Sequence, residues 1–184
     1  MLRILILFFV LSFFNAAYSS TNEKIISKIK NINNLSFNFT QTINNKSDNG
    51  ECIIKYPKKI FCSYHNSSKK IIVSNGKTLI IKNKNSNNHY IYPINKTPLK
   101  FLLDKNYLIS KINSLNPKEI NNKYFNFKIV EDNSEINVFF DNKSFQLIGW
   151  EIEDIYQNLA ITFISSFKIN QKINDEIFIL PDNN

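Results

Sequence analysis

The sequence predicts a mainly β, α+β domain: a curled antiparallel sheet forming an open, incomplete β-barrel, covered by an N-terminal helix and a short helical insertion. Most of the chain alternates apolar and polar residues with period two, the mark of half-buried strands. Helical spacing is confined to one early stretch and to the middle of the chain. A sheet of so many strands cannot stay flat, because strand twist accumulates and the sheet must curl or split.

Residues 1–19 read as a signal peptide rather than as part of that domain. Arg3 is followed by the uncharged run Ile4-Leu5-Ile6-Leu7-Phe8-Phe9-Val10-Leu11, and Ala17-Tyr18-Ser19 supplies a small-x-small processing site. The run is shorter than the ~20 residues a membrane span requires. No cysteine sits beside the cleavage point to take a lipid. Residues 20–184 then form one domain of ordinary size, and 43% hydrophobic with 14% aromatic residues is ample for a core. The expected compartment is the periplasm.

The elements follow in order. Asn22–Asn34 reads as an amphipathic helix capped by Asn22, with Ile25, Ile29 and Ile32 on one face and Ile26 beside them. Phe37 and Phe39 alternate with polar neighbours through Gln41. Glu51–Tyr56 and Ile60–His65 form a hairpin, and Ile71–Ser74 and Thr78–Lys82 flank Asn75-Gly76, a strong hairpin signal. After the polar loop 83–88 comes a short strand, Tyr90–Tyr92. Pro98 begins a short helix through Leu103, because a proline at the first turn loses no hydrogen bond, and Leu108–Leu115 is a second helical piece. Strands resume at Tyr124–Val130, Glu135–Phe140, Phe145–Asp154 and Leu159–Lys168, and Ile177–Leu180 reads as a last short strand.

Cys52 and Cys62 are the two cysteines. If Tyr56-Pro57-Lys58 is the hairpin loop, Lys55 pairs with Lys59 and Cys52 stands opposite Cys62. In an oxidising compartment a disulfide there would persist. A loop one residue longer or shorter would remove the alignment, so a bond and two free thiols both stay open.

Function classes narrow by what the chemistry lacks. His65 and His89 have no partner at metal-ligand spacing, and there is no Cys-x-x-Cys. No nucleophile elbow or phosphate loop appears, and only three glycines exist to build one. No enzyme activity, metal or cofactor is expected. The 23 Lys and Arg against 15 Asp and Glu give +8, but the lysines are scattered and the chain is exported, which argues against nucleic acid.

The remaining lead is apolar. With period two, Phe37, Phe39, Ile54, Tyr56, Ile60 and Tyr64 share the inner face of the first strands. Ile148, Trp150 and Ile152 share one face of a later strand, as do Leu159, Ile161 and Phe163 on the next. A filled core explains such faces, and so does an apolar cavity in an open barrel.

The ordered motifs resemble those of the outer-membrane lipoprotein carrier family, LolA. Phe39-Thr40-Gln41 is similar to the family's Phe-x-Gln, and Gly50 with the hairpin around Pro57 to its second block. Val73-Ser74-Asn75-Gly76-Lys77-Thr78-Leu79 closely resembles its Asn-Gly-Lys-Thr-Leu hairpin. Thr97-Pro98-Leu99 with Leu102-Leu103 resembles its central helix, and Trp150, Asp154, Asn158, Ile161, Phe163, Asn170 and Phe178 its closing strands. The resemblance implies an open barrel whose hydrophobic cavity takes the acyl chains of lipoproteins. It implies a donor, an inner-membrane ATP-driven transporter, and an outer-membrane receptor, with the carrier itself a monomer. The expected ligand-binding residues are Phe37, Phe39, Ile54, Tyr56, Ile60, Tyr64, Leu99, Leu102, Trp150, Ile152, Ile161 and Phe163, with Ile60 at the entrance. The alternative is a soluble barrel for another apolar ligand, such as a free lipid. One departure is plain: Tyr56 stands where the family has an arginine that latches the lid, and Cys62 where an aromatic is common. The helical cover is therefore expected to be mobile and held closed by apolar packing.

Overall fold

The computed structural model describes residues 20–180 apart from 67–68, 84, 86–88, 132–133 and 155–156. The expected signal segment and Pro181 lie outside the described residues.

Helix α1, Thr21–Lys30, starts at Ser20 rather than at Asn22. Ser20 Oγ accepts from the Glu23 amide while the Glu23 carboxylate accepts from the Ser20 amide, so two otherwise unpaired donors of the first turn are satisfied together. Asn22 is freed for a tertiary role. Its side-chain amide donates to the carbonyls of Ile112 and Leu115, 2.7 and 2.8 Å away. Ile25, Ile26 and Ile29 are buried.

Among the described residues eleven strands follow in one open sheet: β1 (Asn34–Ile43), β2 (Lys46–Lys55), β3 (Lys59–Tyr64), β4 (Lys70–Asn75), β5 (Thr78–Asn83), β6 (His89–Pro93), β7 (Lys118–Ile120), β8 (Tyr124–Glu131), β9 (Ser134–Asp141), β10 (Leu147–Glu153) and β11 (Leu159–Ile169). Their order is β6-β5-β4-β3-β2-β1-β11-β10-β9-β8-β7, antiparallel at each neighbouring pair. The pairing of β1 with β11 joins two meanders, so β6 and β7 are left as edges and the barrel stays open. Between β6 and β7 lie α2 (Leu99–Leu102) and α3 (Lys105–Ser114), the latter capped by Asp104, whose carboxylate accepts from the Tyr107 amide. The short strand β7 was missed by the sequence reading because Lys118-Glu119-Ile120 carries one apolar residue. The end of the chain differs too: Asp175–Phe178 is a 3-10 turn, not a strand. Four consecutive apolar residues there show no period, and Asn174 accepting from the Glu176 amide bends the chain instead.

The polarity of the open barrel follows from its connections. Helices α1, α2 and α3 and the hairpin tips at 56–58 and 76–77 lie at one end, where β1 begins. The turn 44–45, residues Asp154, Gln157 and Asn158, the end of β3 at Tyr64 and the end of β5 at Asn83 lie at the other end. One end is plugged by helices, and at the other the described residues Asn83, Glu153 and Asp154 are polar.

Candidate functional site

A cavity of about 290 Å³ lies between the inner face of β1–β6, strands β10 and β11, and the start of the helical insertion. Its walls follow directly from cross-strand register. Gly50 faces Tyr64, Cys52 faces Cys62 and Ile54 faces Ile60, which places the inner side chains of β2 and β3 side by side. Cys62 pairs in turn with Ile72, which pairs with Ile81. On the far wall Trp150 pairs with Thr162 and Ile152 with Ala160. Thr97, Pro98 and Leu99 close the helical end.

Cys52 and Cys62 are joined by a disulfide within this wall. The loop Tyr56-Pro57-Lys58 sets the register, with Lys55 opposite Lys59. The bond thus fixes two neighbouring staves of the barrel and presents sulfur to the cavity.

Phe39, Ile60, Tyr64, Leu99, Trp150 and Ile152 line this space. Phe37, Ile54 and Leu102 are buried in the adjoining core instead, Phe37 packing edge-on against Trp150 with ring centres 5.9 Å apart. Ile60 is only 3% exposed, so it lies deep in the wall and not at the entrance. Tyr56 belongs to a second, smaller cavity of about 50 Å³ between α1, α3 and the other half of the sheet, together with Ile29, Leu108 and Phe140. Burial there raises its hydroxyl pKa to about 12.

Ile161 and Phe163 are on the wrong face for the expected role. The inner face of β11 is Ala160 and Thr162, and Phe163 stands outside at 46% exposure. There it stacks on Phe139, at 5.8 Å, across Gly149, which pairs with both. Because side chains alternate, a one-residue error in facing exchanges the two sets completely. Size was the missing signal: the small Ala160 and Thr162 leave the volume that larger inward residues would fill.

Several lining residues were not singled out from the sequence: Gln41, Ile43, Lys70, Ile72, Leu79, Ile81, Tyr90, Ala160 and Thr162. The alternation of Leu79 with Ile81, and of Ile72 with Lys70, could have found four of them.

The cavity changes character toward its open end. Deep inside it is lined by Phe39, Cys52, Cys62, Ile60, Leu79 and Trp150. Nearer the loops a polar belt crosses it: the Tyr64 hydroxyl donates to Gln41 Oε1 (2.9 Å), and Gln41 Nε2 donates to Thr162 Oγ1 (3.0 Å). The Lys70 ammonium lies 3.7 Å from the centre of the Tyr64 ring. Asn83, Glu153 and Asp154 complete the rim. Burial pushes the Tyr64 hydroxyl well above the ordinary phenol range, with Asp48 adding to the shift and the Gln41 hydrogen bond opposing it.

At the plugged end the cover is held through the β2–β3 hairpin. The Lys58 amide donates to the Leu103 carbonyl at 2.8 Å, and the Lys58 ammonium approaches Asp104 (3.7 Å) and Asn95 (3.4 Å). Tyr56 makes a different contribution from the arginine that the resemblance implies. Its ring lies under the Lys105 ammonium, 5.8 Å away, and that ammonium donates to the carbonyls of Lys30 and Ile32 at the end of α1. A lysine thereby ties the first helix to the third, where cations are favoured by the helix dipole. Phe101, Leu102 and Leu103 are all buried, so apolar packing carries most of the closure.

Among the described residues no group of His, Cys, Asp and Glu could hold a metal ion, and no helix is long and apolar enough to cross a membrane.

Comparison with known proteins agrees with this architecture. No curated protein matches the chain by sequence. Among solved structures, a conserved protein from Thermus thermophilus superposes with a TM-score of 0.53 at 7% identity, covering 88% of this chain and 95% of that one. A LolA superfamily protein from Nitrosomonas europaea gives 0.48 at 9% identity, over 88% and 99%. An outer membrane lipoprotein-sorting domain from Vibrio parahaemolyticus gives 0.46 at 8%, over 84% and 94%. Residues 30–180 match the family model described as outer membrane lipoprotein carrier protein LolA, and the chain belongs to that family.

Proposed function

We propose that the protein is a periplasmic carrier that takes the acyl chains of lipoproteins into this cavity and shuttles them from the inner to the outer membrane. It receives them from an ATP-driven inner-membrane transporter and delivers them to an outer-membrane receptor. The observation that carries the reading is the apolar space under the helices, in a chain of the LolA family. Exposing an acyl chain to water costs about 0.8 kcal/mol per methylene, so a two- or three-chain anchor represents tens of kcal/mol. A carrier offers a comparably apolar site and needs no covalent step. The side chains of the wall supply that environment, and the absence of a catalytic constellation in the sequence is consistent with the role.

A second reading, a soluble carrier of a free lipid, is favoured by the cavity's size. About 290 Å³ is room for on the order of ten water-sized groups, enough for part of one chain. Carrying two or three chains requires the wall to part. Crosslinking in the periplasm followed by mass spectrometry of the purified protein separates the two readings. Acylated lipoproteins support the first, and free lipids alone would replace it with the second.

A further inference from the structure

A carrier for hydrocarbon alone has no use for a hydrogen-bonded belt across its cavity, yet this one has such a belt. Thr162 is 2% exposed and Tyr64 4%, so two of its members are desolvated inside the barrel. Burying polar groups is unfavourable unless they are paired, and the chain from the Tyr64 hydroxyl through Gln41 to Thr162 pairs them. Lys70 differs from the rest. Its ammonium carries three N–H donors, and its partner is the face of the Tyr64 ring. Among the described residues none of those donors has a hydrogen-bond acceptor.

Charge narrows what could be that acceptor. Burial lowers the Lys70 pKa, while Asp48 and Asp154 act in the opposite sense through their negative charge. An anionic head would meet those two carboxylates, and a cationic head would meet the ammonium itself. A neutral group with a strong acceptor oxygen meets neither penalty. Position agrees, since the belt lies between the apolar interior and the polar residues Asn83, Glu153 and Asp154, where the head of a chain inserted tail-first comes to rest.

We infer that this belt reads the ester or amide carbonyl at the head of the bound acyl chain, with Lys70 as the principal donor and Gln41 as the second. The inference rests on the acyl-carrier reading and adds that the protein discriminates acyl from alkyl chains. Tyr64 acts as a positioning residue, since its ring face orients the ammonium.

Trp150 is the protein's one tryptophan and lines the cavity, so its fluorescence reports occupancy. The probes are 1,2-dioctanoylglycerol and its diether counterpart 1,2-dioctylglycerol, which differ in the two carbonyls. The expected result is about tenfold tighter binding of the diester, the size of one charge-assisted hydrogen bond. Lys70→Met should bring the ratio near one while diether binding persists, and Lys70→Arg should keep the preference. If Lys70→Met also loses the diether, Gln41→Met serves instead and should reduce the ratio at least threefold. Equal affinities in the native protein, or an unchanged ratio in these variants, would overturn carbonyl recognition and leave the apolar carrier standing. Failure of both probes to bind the native protein would remove the carrier reading and this inference together.

Discussion

Gly50 lies where two strands and an aromatic pair converge. A Cβ built there would come within 2.6 Å of the Phe39 ring and press on the Ser63 carbonyl of the paired strand, which is backbone and cannot turn aside. The absent side chain lets Phe39 and Tyr64 meet edge-to-face at 4.8 Å over it. Gly50→Ala is expected to cost about 1–3 kcal/mol by overpacking, read as a lower urea midpoint. Ile60 makes the complementary case. As a mouth residue it would accept a charge with the fold intact, but at 3% exposure Ile60→Glu buries a carboxylate inside the wall. About 3 kcal/mol or more should be lost at neutral pH, and a stably folded Ile60→Glu protein would place that side chain at the surface after all. Period two identified Phe39, Ile60, Tyr64, Trp150 and Ile152 correctly as inward. It failed on β11, where the inner face carries the small Ala160 and Thr162 and the larger residues, Ile161 and Phe163, are the outer ones. Hydrophobicity marks what is withdrawn from water, whereas an empty cavity is marked by what is small.

The segment after β11 acts as a clasp on the outer face of the sheet. Its 3-10 turn packs on β3 and β4, burying Phe178 and covering Val73. Asp175 holds it down through Lys55 at 2.6 Å and Lys59 at 3.6 Å. The hydrogen bond to Lys55, the largest cause, keeps the Asp175 carboxyl below its ordinary value of 3.8. A depressed folded-state pKa means that the ion pair's contribution is complete above that ordinary value and disappears as pH falls through the lower one. Amides of 175–179 should therefore exchange faster at pH about 3 than at pH 6, after correction for intrinsic rates. Asp175→Asn should show the loosened state already at pH 6; an Asp175→Asn segment as protected as the native one would mean that Phe178 alone holds it. Sequence pattern gave neither the clasp nor its turn, because Ile177-Phe178-Ile179-Leu180 is apolar throughout. By contrast the Asn75-Gly76 hairpin and the Tyr56-Pro57-Lys58 loop were legible, since turn residues act locally. The first helix was legible as an element, but its cap was misplaced. Ser20 and Glu23 satisfy one another, and Asn22 serves a contact some ninety positions away that no local rule reveals.

At the scale of the whole molecule the question is which end opens. The helical insertion was expected to be a loosely held lid, yet Phe101, Leu102 and Leu103 are 6%, 6% and 0% exposed. Lifting them into water would cost on the order of 5–9 kcal/mol at about 1.5–3 kcal/mol per side chain, comparable with the whole stability of a small domain. The Lys58–Leu103 hydrogen bond and the Asn22 and Lys105 ties between α1 and α3 add to that cost. Among the described residues the other end has no such closure. Edge strand β6 pairs within the sheet only with β5, and Tyr90 and Ile91 on it are 46% and 47% exposed. An exposed edge strand is expected to open at lower free energy than buried helices, so β6 is the wall that should part if more than one chain is taken in. Hydrogen exchange of the free protein against protein loaded with 1,2-dioctanoylglycerol decides between the two ends. Amides of Leu99–Ser114 should be strongly protected in both states, while those of His89–Tyr92 exchange quickly when free and change on loading. Rapid exchange across 98–110 that slows on loading, with β6 unaffected, would instead make the helices the gate and β6 a fixed wall.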